Sequence, residues 1–338
     1  MAMQVPALAA VIGYAVTGVE LQSACDQHDN ARKMSANYSI LAQCGVQWFN
    51  RGMPDSATKL SIFDHSRASA GLRYVYPVVS RRAGGVSVGI NLNTNNACNW
   101  RCIYCQVPDL RHGSAPPVDL PLLGNELRGF LAGLLQGDFM AANVPAEARR
   151  LNDIALSGNG EPTSAAEFEQ VVELIGQVLG EFGLTGSIKL VLITNGSLLR
   201  RPGVLRGLTR MARLNGEVWF KLDSATPAGR LRINHTRQTP GAALENLRAT
   251  ARLCPTWIQT ALFEVDGLPP SAAELQAFLN FLARCKDEAI PLQGVLLYGL
   301  ARPSLQLEAG RLSALPGPWL ESFAAEIEVL GLAVNLST

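Results

Sequence analysis

The chain of 338 residues has almost no surplus charge and few cysteines. Its 29 Lys and Arg stand against 28 Asp and Glu, a net charge of +1 that by itself points to no partner. Charged residues make up 17% and hydrophobic residues 48%, which fits an ordinary globular protein with a sizeable core, built as one large domain with appendages or as two domains. Nor is there a long apolar run that reads as a membrane span. Residues 5–19 are apolar, but no Lys or Arg precedes them and Glu20 follows directly, so neither an export signal nor a span is expected, and no membrane partner. Of the seven cysteines, Cys25, Cys44, Cys254 and Cys285 are scattered and form no tight pair. Free thiols in a reducing, cytoplasmic compartment are therefore expected rather than disulfides. There is no low-complexity tract and no internal repeat apart from an alternation of strand and helix patterns.

The other three cysteines are concentrated in residues 91–110. Cys98, Cys102 and Cys105 follow the pattern C-x3-C-x2-C, with Tyr104 just before the last. Packing alone rarely puts three cysteines in eight residues, and a polar loop after a strand is a poor place for core side chains. Structural zinc wants four protein ligands, with cysteines usually in two separate pairs, so a lone trio fits poorly. Three thiolates suit a 4Fe-4S cube better, because each holds one iron and the fourth iron keeps positions open to a small chelating molecule.

The trio with its aromatic residue resembles the signature of the radical S-adenosylmethionine (SAM) superfamily. The resemblance implies a 4Fe-4S cluster on Cys98, Cys102 and Cys105, with the amino and carboxylate groups of SAM on the open iron. It further implies reductive cleavage of SAM to a 5'-deoxyadenosyl radical, with an electron donor such as flavodoxin or ferredoxin as partner. The expected fold class is α/β, an incomplete (β/α)6 barrel of the TIM type.

Periodicity agrees with that fold. Val86, Val88, Ile90 and Leu92 alternate with Ser87, Gly89 and Asn91, a period-two strand that leads into the cysteine loop. A helix is expected to begin near Leu122. Further strands are expected at 152–157, 188–194, 218–223, 258–264 and 294–298. Ser164 with Glu167, and Ser271 with Glu274, read as capping boxes for the helices after the second and fifth strands. The first of these carries Phe168, Val171, Val172, Ile175 and Leu179 on one face. Residues 86–304 form the expected core. Residues 1–52 read as an extension outside it, with Met34 and Met53 as alternative starts, and 53–85 as a lead-in whose Phe63, Tyr74 and Tyr76 cover one barrel end. Residues 305–338 are expected to give a helix over 319–330 and a short tail strand over 332–336.

Ligands of parallel barrels sit at the carboxyl ends of strands. The second strand ends in Ser157, Gly158, Asn159, Gly160, Glu161, Pro162 and Thr163, which resembles the superfamily's glycine-glycine-glutamate motif for the amino group of SAM. The third ends in Thr194, Asn195 and Gly196, a turn shared by many of these proteins. On the fourth, Trp219, Lys221 and Asp223 share a face, and buried charges there must meet a ligand or each other. By resemblance to the glycyl-radical-activating branch, Lys221 would neutralise the methionyl carboxylate, and Asp223 or Ser224 would bond ribose hydroxyls. Tyr104 joins this SAM set, and Gln259 and Tyr298 are inward polar candidates on later strands. No residue is assigned a direct catalytic role.

Across 86–304 the chain most resembles the branch related to wyosine-base synthetases, which act on transfer RNA. It has only Cys25 and Cys44 upstream, without the third cysteine a second cluster needs, so the wyosine reaction itself is not expected. No cysteine-rich extension, flavodoxin-like domain or cobalamin domain is recognisable. One feature favours RNA or a phosphorylated substrate: residues 197–237 hold nine Lys and Arg against two acids, and Arg230, Arg232 and Arg237 follow the fourth strand. Arg206, Arg210 and Arg213 fall on one helix face. The other readings are a glycyl-radical enzyme activase and a non-enzymatic iron-sulfur sensor.

Overall fold

The computed structural model describes residues 70–80 and 84–337. Residues 1–69, with Cys25, Cys44, Met34, Met53 and Phe63, lie outside the described residues. Eight strands form one sheet in chain order: β1 (Val75–Ser80), β2 (Gly85–Ile90), β3 (Leu151–Leu156), β4 (Lys189–Thr194), β5 (Gly216–Lys221), β6 (Thr256–Leu262), β7 (Leu292–Gly299) and β8 (Val334–Ser337). β1 runs antiparallel to β2, and every later neighbour is parallel. Parallel neighbours need crossovers, and helices supply them: α1 (Leu120–Leu135), α2 (Phe168–Glu181), α3 (Pro202–Arg213), α4 (Pro227–Asn234), α5 (Pro240–Ala251), α6 (Ala272–Asp287) and α7 (Gly317–Val329). The result is a mixed α/β protein with a large parallel sheet.

The sheet is wider than the sequence suggested. Residues 75–80, read as part of a lead-in, form β1, in register with β2 as far as Val75 opposite Ile90. Tyr76 faces Gly89 in that register, and a Cβ on Gly89 would meet the Tyr76 ring at 2.2 Å. The glycine thus lets an aromatic ring lie flat across β2. At the other edge the tail strand β8 pairs with β7, so residues beyond 304 also belong to the sheet.

β2 is buried along its whole length, Ser87 included, because elements cover both faces of an interior strand. α1 starts two residues earlier than expected, at Leu120, where Asp119 caps it by accepting from the Leu122 N–H at 3.0 Å. Its Leu123, Leu127, Phe130, Leu131 and Leu134 enter the core. The apolar face expected for α2 is buried as read.

The cap of α2 is not as read. Pro162, Thr163 and Ser164 form a separate 3-10 turn, and α2 begins after Glu167 with no side-chain cap. The Ser164 hydroxyl accepts instead from Ala115 N–H (2.9 Å) and Asn93 Nδ2 (3.2 Å), so it is spent tying the cysteine loop to this turn. At α6, Ser271 does accept from Glu274 N–H, but the Glu274 carboxylate turns to Ser224 and Thr226 rather than back to Ser271. No helix among the described residues is long and apolar enough to cross a membrane.

Candidate functional site

The loop between β2 and α1 is shaped by asparagines, of which Asn93 and Asn96 carry no signal in the sequence pattern. Asn91 Oδ1 accepts from the N–H groups of Asn93 (3.1 Å) and Asn159 (3.0 Å), and Asn93 Nδ2 donates to Ala97 O at 2.8 Å. Asn96 takes a left-handed conformation (φ 55), which asparagine tolerates, and its Oδ1 accepts from Asn159 Nδ2 at 2.7 Å. Short side chains that bond nearby backbone stabilise such a loop without helix or sheet. Beyond the cysteines, Ser304 Oγ donates to Ile103 O (2.7 Å), and Gln306 Nε2 donates to the carbonyls of Cys105 (3.2 Å) and Val107 (2.9 Å).

This framework brings Cys98, Cys102 and Cys105 to one cavity of about 320 Å³ at the carboxyl ends of the strands. Its wall also includes Tyr104, Gly158, Asn159, Gly160, Glu161, Asn195 and Lys221 of the expected SAM set. Burial pushes the Cys98 thiol up to about 12 and raises Cys102 as well. Such thiols bind iron only by losing their protons, and bound metal drives that loss. Among the described residues no group of His, Cys, Asp or Glu gathers tightly enough for a single ion. A cube makes no such demand, since each thiolate holds a different iron.

The turns after β3 and β4 are fastened by one carboxylate. Glu161 Oε1 accepts from Thr163 N–H (3.1 Å), Thr163 Oγ1 (2.6 Å) and Thr194 Oγ1 (2.7 Å), and Oε2 accepts from Asn195 N–H (2.6 Å). Burial pushes its pKa up while these four bonds pull it back. Thr194 is therefore a fastening residue and does not line the cavity. The glycines also have a local reason: a Cβ on Gly160 would meet Ala97 O at 2.1 Å, and one on Gly158 would meet Asn91 Oδ1 at 2.4 Å. Both let the cysteine loop pack against the β3 turn.

Lys221 ends β5 with Nζ donating to Tyr298 OH at 3.0 Å and lying 4.9 Å from the centre of the Tyr104 ring. Burial opposes its charge, but Tyr298, Asp223 and Cys102 outweigh that and hold its pKa above the ordinary value. Asp223 lies two residues past the strand and does not share this cavity wall. Its Oδ2 accepts from Tyr104 OH (2.6 Å) and Asn234 Nδ2 (2.7 Å), and its Oδ1 from Ala261 N–H (3.0 Å). Ser224 is likewise turned away, bonded to Glu274 at 2.6 Å. Asp223 and Ser224, expected at ribose hydroxyls, are here bonded to protein groups.

In the basic segment one expected contact is corrected. Arg230 is fully buried, bonded to Gln238 and Ser224, and is no surface contact for phosphate. Arg206 and Arg210 are paired with Glu169 of α2. Arg232 and Arg237 remain exposed.

Two buried acceptors beside the cavity are unmet. Asn159 Oδ1 and Gln259 Oε1 are buried without a partner, and an unmet buried acceptor costs about 1–3 kcal/mol. Both residues line this wall. Three thiols on one cavity suit a cluster, and the Lys221 ammonium on the same wall suits the carboxylate of a cofactor such as SAM, so the residues present fit both.

No profile of a known protein family matches the chain. The UPF0026 protein slr1464 of Synechocystis sp. (strain ATCC 27184 / PCC 6803 / Kazusa) is 31% identical over 195 residues, which are 57% of this chain and 61% of that protein. Among solved structures, a radical SAM methyltransferase from Sphaerobacter thermophilus superposes with a TM-score of 0.51 at 14% identity, over 75% of this chain and 66% of that one. Archaeal TYW1 gives 0.45 at 11% identity, over 83% and 80%. The chain thus spans under two thirds of the curated relative's length. The methyltransferase likeness is one of fold, and it agrees with the resemblance to the radical SAM superfamily carried by the cysteine trio.

Proposed function

We propose, from the chain's resemblance to radical SAM proteins in motif and fold, that it is an enzyme that holds a 4Fe-4S cluster on Cys98, Cys102 and Cys105 and binds SAM beside it. The observation that carries this reading is the meeting of all three thiols on one cavity at the carboxyl ends of parallel strands. The cluster, reduced by a donor such as flavodoxin or ferredoxin, would supply the electron that cleaves the sulfonium of SAM to a 5'-deoxyadenosyl radical. The sheet then serves as the incomplete (β/α)6 barrel of such enzymes, in the cytoplasm. Lys221 takes the methionyl carboxylate as a charge-assisted bond. Tyr104 walls the cavity and, through Asp223, fixes the loop against β6.

The substrate is proposed to be a transfer RNA, a nucleotide or another phosphorylated molecule, met on its phosphates by Arg232 and Arg237. Changing both to Ala should lower the salt dependence of transfer RNA binding; absence of binding at low salt would remove RNA from this list.

The reaction is tested by supplying SAM and dithionite to the anaerobically reconstituted protein. Wild type should release 5'-deoxyadenosine and methionine, Cys102→Ala should release neither, and Lys221→Ala should bind SAM more weakly by about 1.5–3 kcal/mol. A fully loaded, reduced protein that forms no 5'-deoxyadenosine would overturn the enzyme reading.

A further inference from the structure

Arg230 is the largest fully buried side chain among the described residues, with 0% exposure, yet it forms no ion pair there. Its Nε donates to Gln238 O (2.8 Å), its Nη2 to Gln238 Oε1 (2.8 Å) and its Nη1 to Ser224 O (3.4 Å), all of them neutral. The guanidinium lies 5.2 Å from the centre of the Trp100 ring, inside the cysteine loop. A guanidinium does not shed its proton in a protein, and a buried charge is costly unless an opposite charge compensates it. Asp223 acts on Arg230 through space but makes no hydrogen bond to it, its oxygens being bonded to Tyr104, Asn234 and Ala261, and Cys102 acts on Arg230 in the same way when it is a thiolate. Negative charge gathered at Cys102 would add to that compensation.

The same helix makes a second contact in that direction. Asn234, the last residue of α4 and wholly buried, donates from Nδ2 to Cys102 Sγ at 3.3 Å. The helix end is fixed to the cysteine loop by Arg101 N–H to Asn234 O (3.2 Å) and Ile103 N–H to Ile233 O (2.9 Å). Neither Arg230 nor Asn234 is a ligand of the trio, and neither faces solvent.

We propose that α4 sets the reduction potential of the cluster, with Arg230 as its buried counter-charge and Asn234 as the donor that steadies the Cys102 sulfur. This rests on the reading that the trio holds a 4Fe-4S cluster. Reduction by one electron from an external low-potential donor adds one negative charge to the cluster. A fixed cation and an N–H aimed at a ligand sulfur stabilise the more negative form, and both raise the potential. Arg230 and Asn234 are positioning residues in this account, since they act through the cluster and do not touch substrate.

The test is a potentiometric titration, followed by electron paramagnetic resonance, of the anaerobically reconstituted full chain. Iron and sulfide are measured first. Arg230→Gln and Asn234→Ala should each shift the midpoint to a more negative potential, and Arg230→Lys, which keeps the charge, should stay closer to wild type than Arg230→Gln. Midpoints equal to wild type in loaded Arg230→Gln and Asn234→Ala would overturn the proposal, even if iron content or melting temperature fell, because a purely structural role moves only those. If Arg230→Gln does not fold, the Asn234→Ala midpoint decides in the same way. A wild-type chain that assembles no cluster would instead defeat the reading on which the proposal rests.

Discussion

At the scale of single residues, the turn after β3 is constrained before any cofactor binds. Gly160→Ala would drive a methyl group toward the Ala97 carbonyl, which lies 2.1 Å from the added carbon, with Asn93 Nδ2 at 2.6 Å. Backbone does not yield as a flexible side chain does, so the substitution should cost about 1–3 kcal/mol in the apo-protein, read by urea denaturation. An unchanged urea midpoint would return the glycine to a role in SAM binding alone. Glu161→Gln attacks the same place from the other side. A carboxamide places an N–H₂ where one oxygen now accepts, so it faces a donor from Thr163, Thr194 or Asn195 and leaves a buried group unmet, again at about 1–3 kcal/mol. Equal stability of the glutamine variant would show that the two turns do not depend on this carboxylate. The motif at 158–161 was readable from sequence; its packing reason was not, because Ala97 and Asn93 reach it only through the fold.

At the scale of elements, the segment around Ser304 acts as a strap over the cysteine loop, and Arg101 with Glu308 buckles it. Arg101 Nη2 lies 2.5 Å from Glu308 Oε1, and Arg101 Nη1 donates to Oε2 at 3.1 Å. The Arg101 bonds hold the Glu308 carboxyl below the usual carboxylate range. A carboxylate whose folded pKa is depressed contributes stability that is present above its unfolded pKa, roughly 4.3, and is lost as pH falls through the lower folded value. Acidification from neutral pH to below about 4 should therefore loosen the strap in wild type. Glu308→Gln should lack that component, which limited proteolysis across the pH range would read; an identical pH profile would show that the pair does not fasten the strap. The strand and helix order was legible because apolar spacing of two and of three to four is written in the chain. Ser164 misled because its spacing to Glu167 satisfies a local rule, while Asn93 and Ala115, far along the chain, claim its hydroxyl.

At the scale of the whole molecule, the core extends from β1 to β8. The tail strand spans only Val334–Ser337, yet it covers the edge of β7, touches α7 and packs Val334 and Leu336 against the core. A chain ending at Gly331 would expose β7 as an edge and leave its N–H and C=O groups open to pairing between molecules. It should unfold at lower urea concentration and aggregate; unchanged solubility and stability would place β8 outside the cooperative unit. That the three cysteines act as a group was legible because they fall within eight residues, and the fold brings them to one cavity. Arg230 was the least, since a basic residue in a basic stretch gives no sign in sequence that it is wholly buried.

The central claim is that the three thiols hold a cluster with one iron open to SAM. It is tested most directly by recording the electron paramagnetic resonance spectrum of the reconstituted, dithionite-reduced protein before and after SAM is added. The expected signal is that of one 4Fe-4S cluster per chain, altered by SAM and absent from Cys98→Ala, Cys102→Ala and Cys105→Ala. A wild-type protein without that signal, or with a signal that SAM leaves unchanged, would contradict it.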